Sequence, residues 1–337
     1  MKSFWIIVLL GMSMMGWMPA QQRETFQGDL DGSGDIDALD LVLLANYQAG
    51  NQAEIPAQFG QIYTVDRIVG VMRFVPAGTF VQGSPVGQMC RESDETQFTH
   101  TLTKNIVVME TEVTQAMWTD LLAEQPTLGL DPSTTDDPAK PVDALTWRRA
   151  LLFANLLTFE LHLTRCYYKD ALFQTPLTAD NYTTGEIYWR PTANGYRLPT
   201  EGEWERFARA GTTGSFSVDE PDLSCTSCTP GTMQELEDVA VFCANSGGEI
   251  APVATKLANP WGLYDVHGNV NEFCWDRYGA YPTSAVDYTG PGSGTTRVYR
   301  SGSYALQALY LRTSRRITFS EDGNWVGVGF RLVRTVN

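Results

Sequence analysis

Histidine is scarce in this chain. Three occur in 337 residues, His100, His162 and His267, widely spaced. That spacing offers no facial triad for iron, and no serine or cysteine hydrolase constellation is visible. Positive charge is also short: 24 Lys and Arg face 39 Asp and Glu, for a formal charge of −15. A surface that acidic repels phosphate backbones, which argues against a nucleic-acid partner. It suits hard cations such as calcium, and it also keeps an exported protein soluble. Beyond residue 20 no stretch is apolar enough to cross a bilayer, so no membrane span is expected in the mature chain. Cys225-Thr-Ser-Cys228 has no second CxxC or HxxxH partner, which leaves half a zinc site.

The first twenty residues read as a secretory signal. Lys2 supplies the positive end, Phe4 to Trp17 is apolar or small, and Met18-Pro19-Ala20 offers a cleavage point. An exported protein, whether periplasmic, cell-surface or secreted, exposes its six cysteines to an oxidising compartment. Disulfides are then expected, including at Cys225 and Cys228. Which of the possible pairings forms is not readable from sequence. Thirty glycines, 17 prolines and nine tryptophans indicate many turns around an aromatic core.

After the signal comes a short acidic module at residues 28–48. Asp29, Asp31, Ser33, Asp35, Asp37 and Asp40 fall at positions 1, 3, 5, 7, 9 and 12 of a loop, with Gly34 at the sharp turn. A hard cation needs this many oxygens from one short loop, Asp35 giving its backbone carbonyl. Leu39, Val42, Leu43 and Tyr47 then recur at helical spacing. The stretch resembles a single dockerin-type calcium repeat, which implies calcium as a ligand and a cohesin-like partner. Residues 49–70 read as a linker, and residues 71–337 as one domain.

Within that domain, Met72 to Val81 alternates and breaks at Pro76 and Gly78, which predicts a hairpin. Thr114, Thr146 and Thr200 each stand where a helix cap is needed, and Thr200 with Glu203 forms a capping-box pattern. Beyond Gly211 the chain reads as turns and short strands. The expected class is α+β with much irregular structure, plus the small calcium loop-helix module.

Several motifs occur in order across this domain: Phe74-Val75-Pro76-Ala77-Gly78-Thr79-Phe80, Glu112-Val113-Thr114, Pro141-Val142, Thr146-Trp147, Arg197-Leu198-Pro199-Thr200-Glu201-Gly202-Glu203-Trp204-Glu205, Asn259-Pro260-Trp261-Gly262-Leu263-Tyr264-Asp265-Val266-His267-Gly268-Asn269-Val270, Gly302-Ser303-Tyr304 and Gly329-Phe330-Arg331. Together they resemble the formylglycine-generating enzyme, or sulfatase-modifying factor, family. The resemblance implies a fold related to C-type lectins. It also implies a chemistry in which two cysteines after the Gly-Ser-aromatic motif hold copper(I) and oxidise a substrate cysteine to formylglycine. Here those positions are Leu306 and Leu311. Leucine neither ligates a metal nor exchanges thiols, so copper is not expected.

Other implied features persist. Ser303 and Tyr310 match residues lining the family's substrate groove, where either could hydrogen-bond a peptide or a sugar. A family calcium site maps to the carbonyls of His267, Gly268 and Val270 and the carboxylate of Glu272. The usual tryptophans beside it are Asn271 and Phe273 here. Three readings follow. The first is a binding or assembly module with a protein or carbohydrate ligand. The second is an active oxidase with unrecognised ligands. The third is a lectin-like protein with a diversified segment from Tyr299 to Val328.

Overall fold

A computed structural model describes residues 60–66, 68–218, 226 and 228–336. The proposed signal and the acidic repeat, including Asp29, Asp31, Ser33, Asp35, Asp37 and Asp40, lie outside the described residues. Strands and irregular chain predominate, as expected for the α+β class.

The central sheet is built around β5 (Asn105–Met109), whose four apolar residues are all buried. Strand geometry sends alternate side chains to opposite faces. Val107 and Met109 enter one core cluster, while Ile106 and Val108 enter another. Around β5 the sheet runs in the order β1 (Ile62–Asp66), β2 (Gly70–Val75), β5, β14 (Val333–Val336), β8 (Tyr196–Arg197). The last strand of the chain therefore lies between strands from its first and middle thirds, and residues 60–336 close as one unit.

Two sequence expectations change here. Residues 62–66 are not linker: they form β1, antiparallel to β2. Their Ile-Tyr-Thr-Val content suits a strand, and the Asp66 carboxylate accepts from the Ile68 and Val69 amides to close the turn. Nor do β2 and β3 (Gly78–Gln82) form a hairpin. β2 pairs with β1 and β5, while β3 joins a second sheet with β4 (Phe98–Leu102) and β10 (Ser284–Val286). The chain crosses between sheets at Pro76, which has no amide hydrogen to continue a ladder.

The helices follow their caps. α1 (Gln115–Glu124) starts at Thr114, α2 (Trp147–Glu160) at Thr146 and α3 (Glu201–Arg209) at Thr200, each threonine accepting from the third amide of its helix. α2 is buried on most of its surface and packs against β8 and α1. Its Asn155 is wholly enclosed, and its side-chain amide holds the Tyr167 backbone by two bonds of 2.8 and 3.0 Å. That fixes β6 (Tyr167–Tyr168) and its partner β7 (Tyr188–Trp189). A short fourth helix, α4 (Gln234–Val239), precedes the last sheet, which has the order β12 (Ile317–Ser320), β11 (Thr296–Arg300), β9 (Asn271–Arg277), β13 (Val328–Gly329).

Candidate functional site

α3 supplies three carboxylates, of which the sequence had marked only Glu203, as the capping-box partner of Thr200. Glu201, Glu203 and Glu205 are all buried, and each is held by arginine. Arg300 and Arg316 converge on Glu201 at 2.8 and 2.7 Å, Arg197 grips Glu203 at 2.7 Å, and Arg209 and Arg300 flank Glu205. Burial alone would raise the Glu201 carboxyl, but the Arg316 and Arg300 guanidiniums outweigh it and hold it at about 2. Nearby, Arg312 binds Glu95 at 2.6 Å with both residues enclosed. Arg300, Arg312 and Arg316 come from the C-terminal segment, so these pairs fasten that segment onto the scaffold.

The segment carries the positions that matter for chemistry. Ser303 follows β11 and is buried, with 6 % of its surface exposed. Residues Ala308–Leu311 form a short 3-10 turn. Leu311 is completely buried and Leu306 partly so. Both pack into an apolar cluster with Phe216, Met233, Leu236 and Phe242. Tyr310 sits at the edge of the same cluster, beneath the Arg315 guanidinium at 5.1 Å. The paired-thiol positions are therefore lined with hydrocarbon and occupied by packing. Gly302 and Gly268 hold the wall close: a β-carbon on Gly302 would meet Leu311 at 2.9 Å, and one on Gly268 would meet the Val241 carbonyl at 2.0 Å.

The residues expected to bind calcium have partners within the chain. The Glu272 carboxylate is fully buried and accepts from Arg331 at 2.6 to 2.8 Å and from the Trp204 indole at 2.7 Å. A cation there would have to displace a guanidinium. The Gly268 carbonyl accepts from the Ser301 hydroxyl at 3.0 Å, and Val270 is an enclosed core residue. The His267 side chain accepts the Ser217 amide at Nε2, 3.0 Å away, so Nδ1 carries the hydrogen and donates to the Leu311 carbonyl at 2.9 Å. Burial lowers the His267 pKa to about 4. Among the described residues no group of three or more His, Cys, Asp or Glu side chains could hold a metal ion.

Glu112 and Asp265 are among the buried carboxyls that form no salt bridge. Burial pushes Glu112 well up, and neighbouring Asp265 adds to it; Asp265 is itself raised by burial. The cysteines divide in two. Cys228 bonds Cys243, with Cα atoms 5.2 Å apart, and Cys90 is also disulfide-bonded. Cys228 thus takes a partner fifteen residues on, outside its CxxC. Cys166 and Cys274 are buried free thiols, so the disulfides expected of an exported chain form at other cysteines and not at these two. Burial pushes Cys166 up to about 12 and Cys274 well above its usual value. Cys166 and Cys274 belong to core clusters other than the one that holds Leu306 and Leu311.

Residues 59–336 match the sulfatase-modifying factor enzyme 1-like domain, described as FGE-sulfatase. The chain is 28% identical over 235 residues to chaperone protein LppX of Paenibacillus barcinonensis, covering 66% of this chain and 78% of that protein. It is 36% identical over 151 residues to the formylglycine-generating enzyme of Streptomyces coelicolor, covering 41% of this chain and 46% of the enzyme. The match thus spans about half the length of that enzyme. Among solved structures, Treponema denticola variable protein 1 is similar with a TM-score of 0.67 at 29% identity, over 82% of this chain and 99% of that one. PvdO from Pseudomonas aeruginosa shares the fold with a TM-score of 0.64 at 19% identity, over 83% of this chain and 99% of that one. Ordered motifs, fold and a match over nearly the whole described region agree, and the chain belongs to the sulfatase-modifying factor family.

Proposed function

We propose that this protein is an exported, non-oxidising member of its family that works as a binding or assembly module. One observation carries the reading: Leu306 and Leu311 stand at the paired-thiol positions and are packed into an apolar cluster. Copper(I) prefers soft sulfur ligands, and neither leucine nor the enclosed Cys166 and Cys274 thiols present one. The scaffold around the site is otherwise intact, with its buried ion pairs and capped helices, as a retained binding fold would be. The similarity to a protein named as a chaperone supports an assembly role. The Cys228–Cys243 disulfide supports export, since such bonds persist in oxidising compartments.

The test is a formylglycine assay on a Cys-x-Pro-x-Arg peptide, with and without copper. The expected result is no turnover by the unmodified protein, and copper(I) binding gained by the Leu306→Cys, Leu311→Cys double variant. Robust turnover by the unmodified protein would refute the reading.

A second reading draws on the similarity to a protein named as variable. The segment from Tyr299 to Val328 exposes Trp325 and Val326, at 50% and 58%. Those side chains would present a changeable ligand surface on a fixed scaffold. Homologous copies that differ only within this segment would distinguish it.

A further inference from the structure

Away from the leucine-filled site, the described residues enclose a cleft of about 510 Å³. It opens between β7, the start of α3, the end of β9 and the loop around Asp287 to Gly292. Its size is that of a small-molecule site. The geometry points to a binding site for a neutral saccharide, of one or two pyranose rings, in this cleft. The inference does not depend on whether the leucine site is catalytic.

Three features carry it. The first is aromatic. Tyr188, Trp189 and Trp275 line the cleft, with Tyr188 exposed at 37% and the two indoles meeting edge to face at 5.8 Å. A sugar ring presents an apolar C–H face that stacks on such surfaces, and an aromatic ring supplies large contact area at little entropic cost. The second is charge balance. Lys104, Arg197 and Arg277 line the cleft together with Glu186, Glu203 and Asp287. Three cations against three anions leave no net field to draw a charged ligand. They do set donors and acceptors side by side, the arrangement a vicinal diol satisfies by donating to a carboxylate while accepting from a guanidinium.

The third is unmade hydrogen bonds. Trp189 Nε1, Arg197 Nε and Arg277 Nε are enclosed donors without an acceptor, and all three belong to side chains lining the cleft. The remaining nitrogens of both arginines are engaged, Arg197 by Glu203 and Arg277 by Glu186 and the Gly292 carbonyl. Buried donors are rarely left unpaired in a folded protein. Trp189 and Arg277 are only part-buried, so a modest turn of either side chain presents its N–H to an occupant. Hydroxyl oxygens match these donors. An apolar ligand would leave them unmade, at about 1–3 kcal/mol each.

The experiment titrates the purified protein with cellobiose, maltose and N,N′-diacetylchitobiose, following tryptophan fluorescence and saturation-transfer NMR. Glucuronate, glucose 6-phosphate and tetra-alanine serve as comparison probes. The expected result is saturable binding of at least one neutral disaccharide with a dissociation constant of about 1 mM or tighter. Tyr188→Ala and Glu186→Gln should each weaken it by about tenfold, with an unchanged thermal midpoint, because both side chains reach solvent. Trp189→Phe should weaken it as well, since it keeps a ring and removes the N–H. Three outcomes would overturn the assignment: no neutral disaccharide binding, stronger binding of the anionic or peptide probes, or binding indifferent to all three substitutions.

Discussion

Replacing Arg331 by Met is the sharpest test of how Glu272 is used. The guanidinium donates to both Glu272 oxygens at 2.6 to 2.8 Å, to the Tyr264 carbonyl at 2.8 Å, and to the Met109 and Glu110 carbonyls at 3.2 Å. Both side chains are fully enclosed, at 0% exposure. Methionine fills much of the volume and removes every donor. Glu272 would be left in a dry site with the Trp204 indole as its remaining donor. Breaking a buried pair in this way costs about 3–5 kcal/mol, against a total stability of about 5–15 kcal/mol. The thermal midpoint should drop by on the order of 10 °C. Urea unfolding, with ΔG extrapolated linearly and the slope unchanged, measures the loss. The Glu272→Gln, Arg331→Met double variant should lose less than the sum of the single changes. In it no buried charge is stranded, and glutamine still offers an oxygen to Trp204. A loss under about 1 kcal/mol would refute the reasoning. So would full restoration of Arg331→Met by calcium, because the carboxylate would then be serving a cation.

His267 makes a pH prediction. Its folded pKa, lowered to about 4 by burial, lies below the ordinary value of 6.5. Between those values the unfolded chain binds a proton that the folded one refuses, so stability falls as pH drops from 6.5 towards 4. The unmodified protein should lose up to about 3 kcal/mol more than His267→Gln over that window, read by urea unfolding at each pH. Equal slopes would show that the imidazole is not the titrating group. The free thiols make another prediction. Cys166 and Cys274 are enclosed with raised pKa values, so iodoacetamide at pH 8 should leave both unmodified in the native protein and label both in urea. Rapid native labelling of Cys274 would show that its thiol reaches solvent.

Much of the fold was legible in the chain. The three threonine caps announced three helices because a cap is a local device, complete within four residues. The family motifs announced the fold, and Leu306 and Leu311 announced the loss of the paired thiols. Other features depend on residues far apart. That β2 and β3 enter different sheets is decided by which strands lie beside them, β5 for one and β4 for the other. The Cys228–Cys243 bond depends on a fold-back that no spacing rule encodes. Glu272 carries the local sequence expected of a calcium ligand, while in the folded chain its carboxylate pairs with a guanidinium. Its partner Arg331 is 59 residues away, and only the sheet pairing brings them together. Glu201 and Arg300, 99 residues apart, obey the same logic, as does the cleft, where β7, α3 and β9 meet. Capping chemistry and ligand softness act between neighbours or within one side chain, so sequence alone determined them. Burial, ion pairing and cleft shape are set by distances through space, and these the tertiary structure decided.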